Sequence, residues 1–284
     1  MSEKRPVILK IGGSVITDKD CELAARTEII NRLAEEIAKA KPSSLILVHG
    51  GGSFGHPTAQ KWGLKEGFKE PAQMLGFAET HHVMTVLNGL VMDALVWHEI
   101  PAVSVAPSCG FLTENGRIRS SDCTMMERMM KMGFTPVLYG DATLDEKLGF
   151  TVLSGDQLVT YLALKFNACK IVMGVDCDGL YDADPKTDKN AKMFQHLTLK
   201  ELQALQGKLT KPTTNDVTGG IHGKVTRLRA DHGRRASELE SGGRARDPST
   251  RPSRSQPAGQ PAAPLSLRPD RRSFAGLCRR GHAQ

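Results

Sequence analysis

No two cysteines in this chain stand at C-x-x-C spacing, although there are six of them. Cys21, Cys109, Cys123, Cys169, Cys177 and Cys278 lie far apart, which argues against a zinc knuckle and offers no disulfide framework. No apolar run approaches the length that crosses a bilayer, and the one near the start is too short for a signal peptide. A cytoplasmic location with no membrane partner is therefore expected. Neither G-x-x-x-x-G-K-[ST] nor G-x-G-x-x-G occurs, so the phosphate loop and the dinucleotide fingerprint are both missing. Lysine is absent after Lys224, and valine, isoleucine and methionine are absent after Asp231.

That last absence divides the chain. Residues 231–284 hold eleven arginines, five acidic side chains and six of the fifteen prolines. The net charge of +7 belongs almost wholly to them, because residues 1–230 carry 27 basic against 26 acidic side chains. A segment so poor in apolar surface cannot offset the entropy of ordering, and disorder is expected. A basic arm for RNA or membrane, an ordinary disordered extension and a shifted reading frame of a GC-rich gene all fit this composition. The shifted frame is the favoured reading, and the nucleotide sequence decides it. Nucleic acid is expected as a partner only if the tail is genuine.

Residues 1–230 alternate between two periodicities. VILKIGG (7–13) reads as a strand entering a glycine turn, and 25–40 has helical spacing at Ile29, Ile30, Leu33 and Ile37. SLILVHGGG is a second strand. A long helix is expected over 72–98, with Val83, Val86, Leu87, Leu90, Val91, Ala94 and Leu95 as its apolar stripe. PAVSVAPS reads as a strand, FLTENGRIRSSD as a hairpin, and 125–132 as a short helix. FTPVLYGDATL and FTVLSGD are further strands, 156–166 a helix, and KIVMGVDCDGLY a strand. Such alternation implies an α/β fold: a three-layer sandwich with a mostly parallel open sheet and helices on both faces. In these sheets ligands sit beyond the carboxyl ends of the strands.

Glycine with a charged or hydroxyl neighbour recurs at those ends. The runs are Lys10-Ile-Gly-Gly-Ser14, His49-Gly-Gly-Gly-Ser-Phe-Gly-His56, Tyr139-Gly-Asp141, Ser154-Gly-Asp156 and Gly174-Val-Asp176-Cys-Asp178-Gly. One glycine turn signifies little, but several at successive strand ends make a backbone cradle for an anion. Lys224 follows a Thr-Gly-Gly and falls in an expected helix, where a lysine taken alone is a surface residue. His49, directly after a strand, reads as scaffold. His56, among glycines, reads as a ligand.

In order, K-x-G-G-S, the glycine loop, S-G-D, the G-V-D-x-D-G-L-Y run with Asp184-Pro185, and T-G-G-x-x-x-K resemble the amino acid kinase superfamily over residues 5–229. HGGGSFGH with KIGGSVITDK resembles its members that use an isoprenoid monophosphate. The resemblance implies ATP-dependent phosphorylation of isopentenyl phosphate to isopentenyl diphosphate, and a homodimer. It assigns Lys10 and Lys224 to the transferring phosphoryl group and Asp156 to holding those lysines. Lys19 would help neutralise the group. Gly12, Gly13, Ser14, Gly52 and Gly219 would contact ATP phosphates, with Asp176, Tyr181 and Asp184 bordering the nucleoside. Gly51, Gly55, His56 and Gly155 would bind the acceptor phosphate. Mg²⁺ would arrive on the nucleotide, keeping several waters. An isoprenoid tail would need an apolar slot, for which Leu75, Phe77, Val83, Met84 and Leu87 are candidates, although most of them also read as core.

The expected division is a kinase-like domain over 1–230, its N-terminal half for the acceptor and its C-terminal half for the nucleotide, followed by the tail. After Lys224 the superfamily continues with further β-branched segments, and here the Arg/Pro/Ser tail replaces them. A weakly active or inactive nucleotide-binding protein is therefore one alternative. Another acceptor, such as a phosphonate, an amino acid or a nucleotide, is a second, and a non-catalytic RNA-binding protein a third.

Overall fold

In the computed structural model, residues 5–182, 188–198 and 201 are described. The chain runs β1 (Val7–Ile11), α1 (Gly13–Ile16), α2 (Thr27–Ala40), β2 (Leu45–His49), α3 (Gly52–Lys61), a single 3₁₀ turn (Leu64–Glu66) and α4 (Gln73–Trp97). It continues through β3 (Ala102–Ser104), α5 (Pro107–Gly110), β4 (Phe111–Glu114), β5 (Arg117–Ser121), α6 (Thr124–Met132), β6 (Thr135–Tyr139), β7 (Asp141–Asp145), β8 (Gly149–Leu153), α7 (Gly155–Lys165) and β9 (Lys170–Gly174).

Among the described residues the strands form two sheets. The larger is entirely parallel, in the order β3-β6-β2-β1-β9. Its inner strands β1, β2 and β6 are covered on both faces, so their apolar residues alternate between two cores rather than between core and solvent. Ile11, Leu47, Val137 and Tyr139 join Ile30 and Ala34 of α2 and Leu87, Val91 and Leu95 of α4 on one side. Ile8, Ile46, Val48 and Leu138 meet Met126 of α6 and Leu158, Val159 and Leu162 of α7 on the other. The architecture is the α/β three-layer arrangement that the alternating pattern implies.

The second sheet, in the order β5-β4-β7-β8, is a separate sheet that the alternation of apolar runs does not announce. FTPVLYGDATL reads as one strand but divides at Gly140, where the chain leaves β2 and Asp141 pairs instead with Leu153 of β8. The strand expected through Tyr181 ends at Gly174, and Tyr181 forms only an isolated bridge with Met193. Helix α3 is likewise unannounced, since its sequence opens on glycine and contains Pro57, both poor helix formers. In α4 the expected stripe is partly displaced: Val86 is exposed and Met84 takes a core position. The readings of 231–284 as a disordered tail, and of the segments after Lys224, lie outside the described residues.

The hairpin β4–β5 turns at Asn115 and Gly116, both at positive φ, the geometry a two-residue turn needs to match strand twist. Buried Asp145 fixes it by accepting the N–H groups of Asn115, Gly116, Lys147 and Leu148 at 2.8–3.1 Å. Burial pushes its carboxyl up, but the N–H groups of Gly116, Leu148 and Lys147 outweigh burial and hold it below the usual range. A depressed carboxylate contributes stability above its unfolded pKa, and that contribution is lost as pH falls through the folded value. Asp145→Asn is therefore expected to cost about 1–3 kcal/mol at neutral pH. The gap between variant and wild type in urea titrations should close below about pH 4, and a gap independent of pH would reject this account.

Candidate active site

The carboxyl ends of β1, β2, β6 and β9 lie side by side because the larger sheet is parallel and in register. Glycine follows or ends each strand, and the glycines pack on one another. Gly13 and Gly52 touch backbone to backbone, so that a Cβ on Gly13 would run into the Gly52 nitrogen. Gly50 is as tightly placed, with a Cβ position 2.6 Å from the Gly13 nitrogen. Gly52 has φ +49°, and a side chain there would collide with the Thr17 hydroxyl. That hydroxyl donates to Gly13 O at 2.8 Å and accepts from Ser53 N at 3.0 Å, stitching the two loops together.

This interlock turns α1 and α3 toward one opening. The N–H groups of Gly13, Ser14, Gly51 and Gly52 have no acceptor among the described residues. Converging N–H groups at helix starts are suited to holding an anion. Two assigned glycines differ from expectation. The Gly12 N–H donates to Gly174 O at 2.9 Å, and the Gly55 N–H to Gly51 O at 3.3 Å. Neither is therefore directed at a ligand. Their glycines are explained by space: a Cβ on Gly12 would lie 3.2 Å from Gly174 O, and one on Gly55 2.7 Å from the Met84 sulfur.

Lys10 is the charged residue of β1, and its side chain is only 6% exposed. Its ammonium lies 3.1 Å from the equally buried carboxylate of Asp156, in the first turn of α7, which Ser154 caps by accepting Gln157 N. Gly155 packs tightly on the end of β2, its Cβ position lying 3.3 Å from His49 O. Lys19 lies on the same edge and contacts Asp176 at 2.7 Å, both side chains being largely exposed. Asp176 is held below the usual carboxylate range first by the Lys19 hydrogen bond, against burial, with the Ser14 side chain assisting. Two lysines are thus each tethered to an aspartate, one inside the fold and one at its surface.

His49 is wholly buried: Nε2 meets Asn88 Oδ1 at 3.2 Å, Nδ1 meets Gly50 O at 3.1 Å, and the ring stacks on Tyr139 at 5.5 Å. Burial is the largest influence on it and lowers its pKa, favouring the neutral ring. His49 is scaffold, as its place after a strand suggests. His56 is exposed and lies in α3. Asn88 and Tyr139 support the site yet carry no local sequence signal, since their partner His49 is remote in the chain.

Of the candidates for an apolar slot, Leu75 is exposed, while Met84 and Leu87 are core. Val83 packs against the core on the α2–α4 side of the sheet. Phe77 joins a separate cluster with Ala59, Leu64, Ala142, Phe150, Trp62 and Val152, between α3, α4 and the smaller sheet. Tyr181 is half-buried. Asp184, Gly219 and Lys224 lie outside the described residues.

A family model described as the amino acid kinase family matches residues 5–230. The chain is 40% identical over 230 residues to an isopentenyl phosphate kinase of Methanothermobacter thermautotrophicus, covering 78% of this chain and 85% of that one. It is 35% identical over 235 residues to the isopentenyl phosphate kinase of Methanocaldococcus jannaschii, covering 78% of this chain and 86% of that one. Among solved structures, an X-ray structure of isopentenyl phosphate kinase superposes with a TM-score of 0.65 at 35% identity, covering 80% of this chain and 96% of its own.

Proposed function

The chain belongs to the amino acid kinase family, and from that premise we propose that it transfers the γ-phosphoryl group of ATP to isopentenyl phosphate, forming isopentenyl diphosphate. The observation that carries this reading is the buried Lys10–Asp156 pair beside open N–H groups at the interlocked glycine loops. Phosphoryl transfer needs alignment and charge neutralisation more than covalent chemistry. A phosphate monoester has a second pKa of about 6, so its attacking oxygen is already anionic and no general base is required.

Lys10, fixed by Asp156, would meet the transferring phosphoryl group, with Lys19 and Lys224 adding positive charge as that group moves. Lys19, held by Asp176, keeps further N–H donors for a phosphate oxygen. Gly13, Ser14 and Gly52 would hold ATP phosphates, Gly51 and Gly155 would border the acceptor phosphate, and His56 would donate an imidazole N–H to it. Phe77, packed with Phe150, would border the isoprenoid tail. Mg²⁺ would be carried by the ATP phosphates and water, offsetting their charge.

An ATP-to-ADP assay with isopentenyl phosphate on the full chain tests the reading; no acceptor-dependent turnover would reject it. His56→Ala is expected to raise the acceptor KM about tenfold or more, the loss of one hydrogen bond to a charged group. Its KM for ATP should be nearly unchanged. Unchanged acceptor kinetics would remove His56 from this role.

We also propose a homodimer. Helix α4 leaves Val86, Val96 and Trp97 exposed, the last at 82%. Val86 and Trp97 share one face of the helix with exposed Asp93 between them, and that face would pack on a second copy of the same helix. Sedimentation velocity should give a dimer for the full chain and a monomer for Trp97→Arg; a monomer for both would reject it. The division at residue 230 and a cytoplasmic location complete the proposal; no helix of the described residues is long and apolar enough to cross a membrane.

A further inference from the structure

A second histidine arrangement stands beside the cradle and has no part in the mechanism above. Asp141, the first residue of β7, is buried. Its carboxylate accepts from Ala142 N at 2.9 Å and from Ser108 N at 3.4 Å. Both of its oxygens also lie 3.0–3.1 Å from His81 Nδ1. Burial pushes the carboxyl up, and His81 is the largest influence holding it down, followed by Ser108 and Ala142. The His81 side chain is 33% exposed, and its Nε2 has no hydrogen-bond partner among the described residues.

Two lines of contact place this pair against the acceptor side. Along α4, His81 precedes Met84 and Asn88 by one and two turns, on the same face. Met84 fills the space beside Gly51 and Gly55, and Asn88 holds His49. Along the sheet, Asp141 follows Gly140, whose N–H donates to His49 O at 3.0 Å. The Cβ position of Gly140 lies 3.4 Å from Gly155 N. His81 is thus linked through Met84 to Gly51 and Gly55, and through Asp141 and Gly140 to Gly155.

A ring bonded at Nδ1 to a buried carboxylate is fixed in orientation, leaving Nε2 for a ligand. His49, by contrast, has a polar partner beside each ring nitrogen. We propose that His81, oriented by Asp141, is a second imidazole ligand for the acceptor's phosphate, approaching from α4 while His56 approaches from α3. To donate from Nε2 while Nδ1 donates to Asp141 the ring must carry both N–H groups, so that charge alternates from phosphate to ring to carboxylate. Asp141 touches no ligand and is a positioning residue.

The proposal rests on a phosphate monoester being the acceptor, and its test separates the two ideas. His81→Asn keeps a donor near the Nδ1 position for Asp141 but removes Nε2. It is expected to melt with wild type and to raise the acceptor KM about tenfold, with the ATP KM changed no more than about twofold. An unchanged acceptor KM would overturn the role. In the wild-type chain, titration with inorganic phosphate should shift the His81 Nε2 nitrogen resonance, and a resonance that does not move would overturn it equally. That titration needs no turnover, so it decides the role of His81 even if isopentenyl phosphate proves not to be the acceptor.

Discussion

Asp156→Ala is expected to lower stability by about 3–5 kcal/mol, the usual cost of stranding one member of a buried ion pair, and to abolish turnover. Lys10 and Asp156 are each only 6% exposed, so water cannot take over the role of the lost partner. The two members are not equivalent. Asp156 lies in the first turn of α7, where the helix N-terminus favours a carboxylate, whereas Lys10 emerges from a central strand. Lys10→Met should therefore destabilise less than Asp156→Ala. Turnover in Lys10→Met should still fall on the order of 10²–10³-fold, as when one preorganised donor to developing charge is removed. Combining Lys10→Met with Asp156→Leu should recover much of the stability and none of the activity. Calorimetric melts with steady-state kinetics separate these effects, and an Asp156→Ala chain that melts with wild type would overturn the argument.

Gly52→Ala is the second large effect. The residue sits at φ +49°, a conformation costing an L-residue about 1–2 kcal/mol. Its Cβ would also collide with the Thr17 hydroxyl and lie 2.8 Å from Gly13 O, and overpacking of that kind adds about 1–3 kcal/mol. The combined loss should be about 2–5 kcal/mol. It should be accompanied by weaker ATP binding, because Gly13 and Ser14 cannot keep their N–H groups aimed once the loops separate. Gly89 on α4 supplies the control. A Cβ there meets nothing within 4 Å, so Gly89→Ala should stabilise by about 0.4–1 kcal/mol. Equal effects at the two glycines would show that packing between the loops does not matter.

These two sites differ in how far they are legible in the sequence. Gly52 lies in HGGGSFGH, and three consecutive glycines after an apolar strand already mark a special backbone position. Whether such a glycine serves a ligand or another loop is a different matter. Gly12 and Gly55 read as ligand-facing, yet their N–H groups are committed to Gly174 and Gly51. Lys10 is conspicuous as a charge within an apolar strand. Its tie to Asp156 follows from family resemblance and has no signal in local spacing.

The alternation of apolar runs determined the strands, the long helices and the burial of the larger sheet on both faces, because side-chain periodicity along a segment reflects which of its faces is covered. Residue type determined the glycine-rich strand ends and the lysines beside them. Only the tertiary structure decided that the chain changes sheets at Gly140, that α3 forms despite its glycines and Pro57, that Lys19 meets Asp176, and that Asp141 holds His81. Each of those outcomes depends on groups brought together by the parallel crossovers, and hydrogen bonds between groups remote in the chain leave no period in the sequence that precedes them.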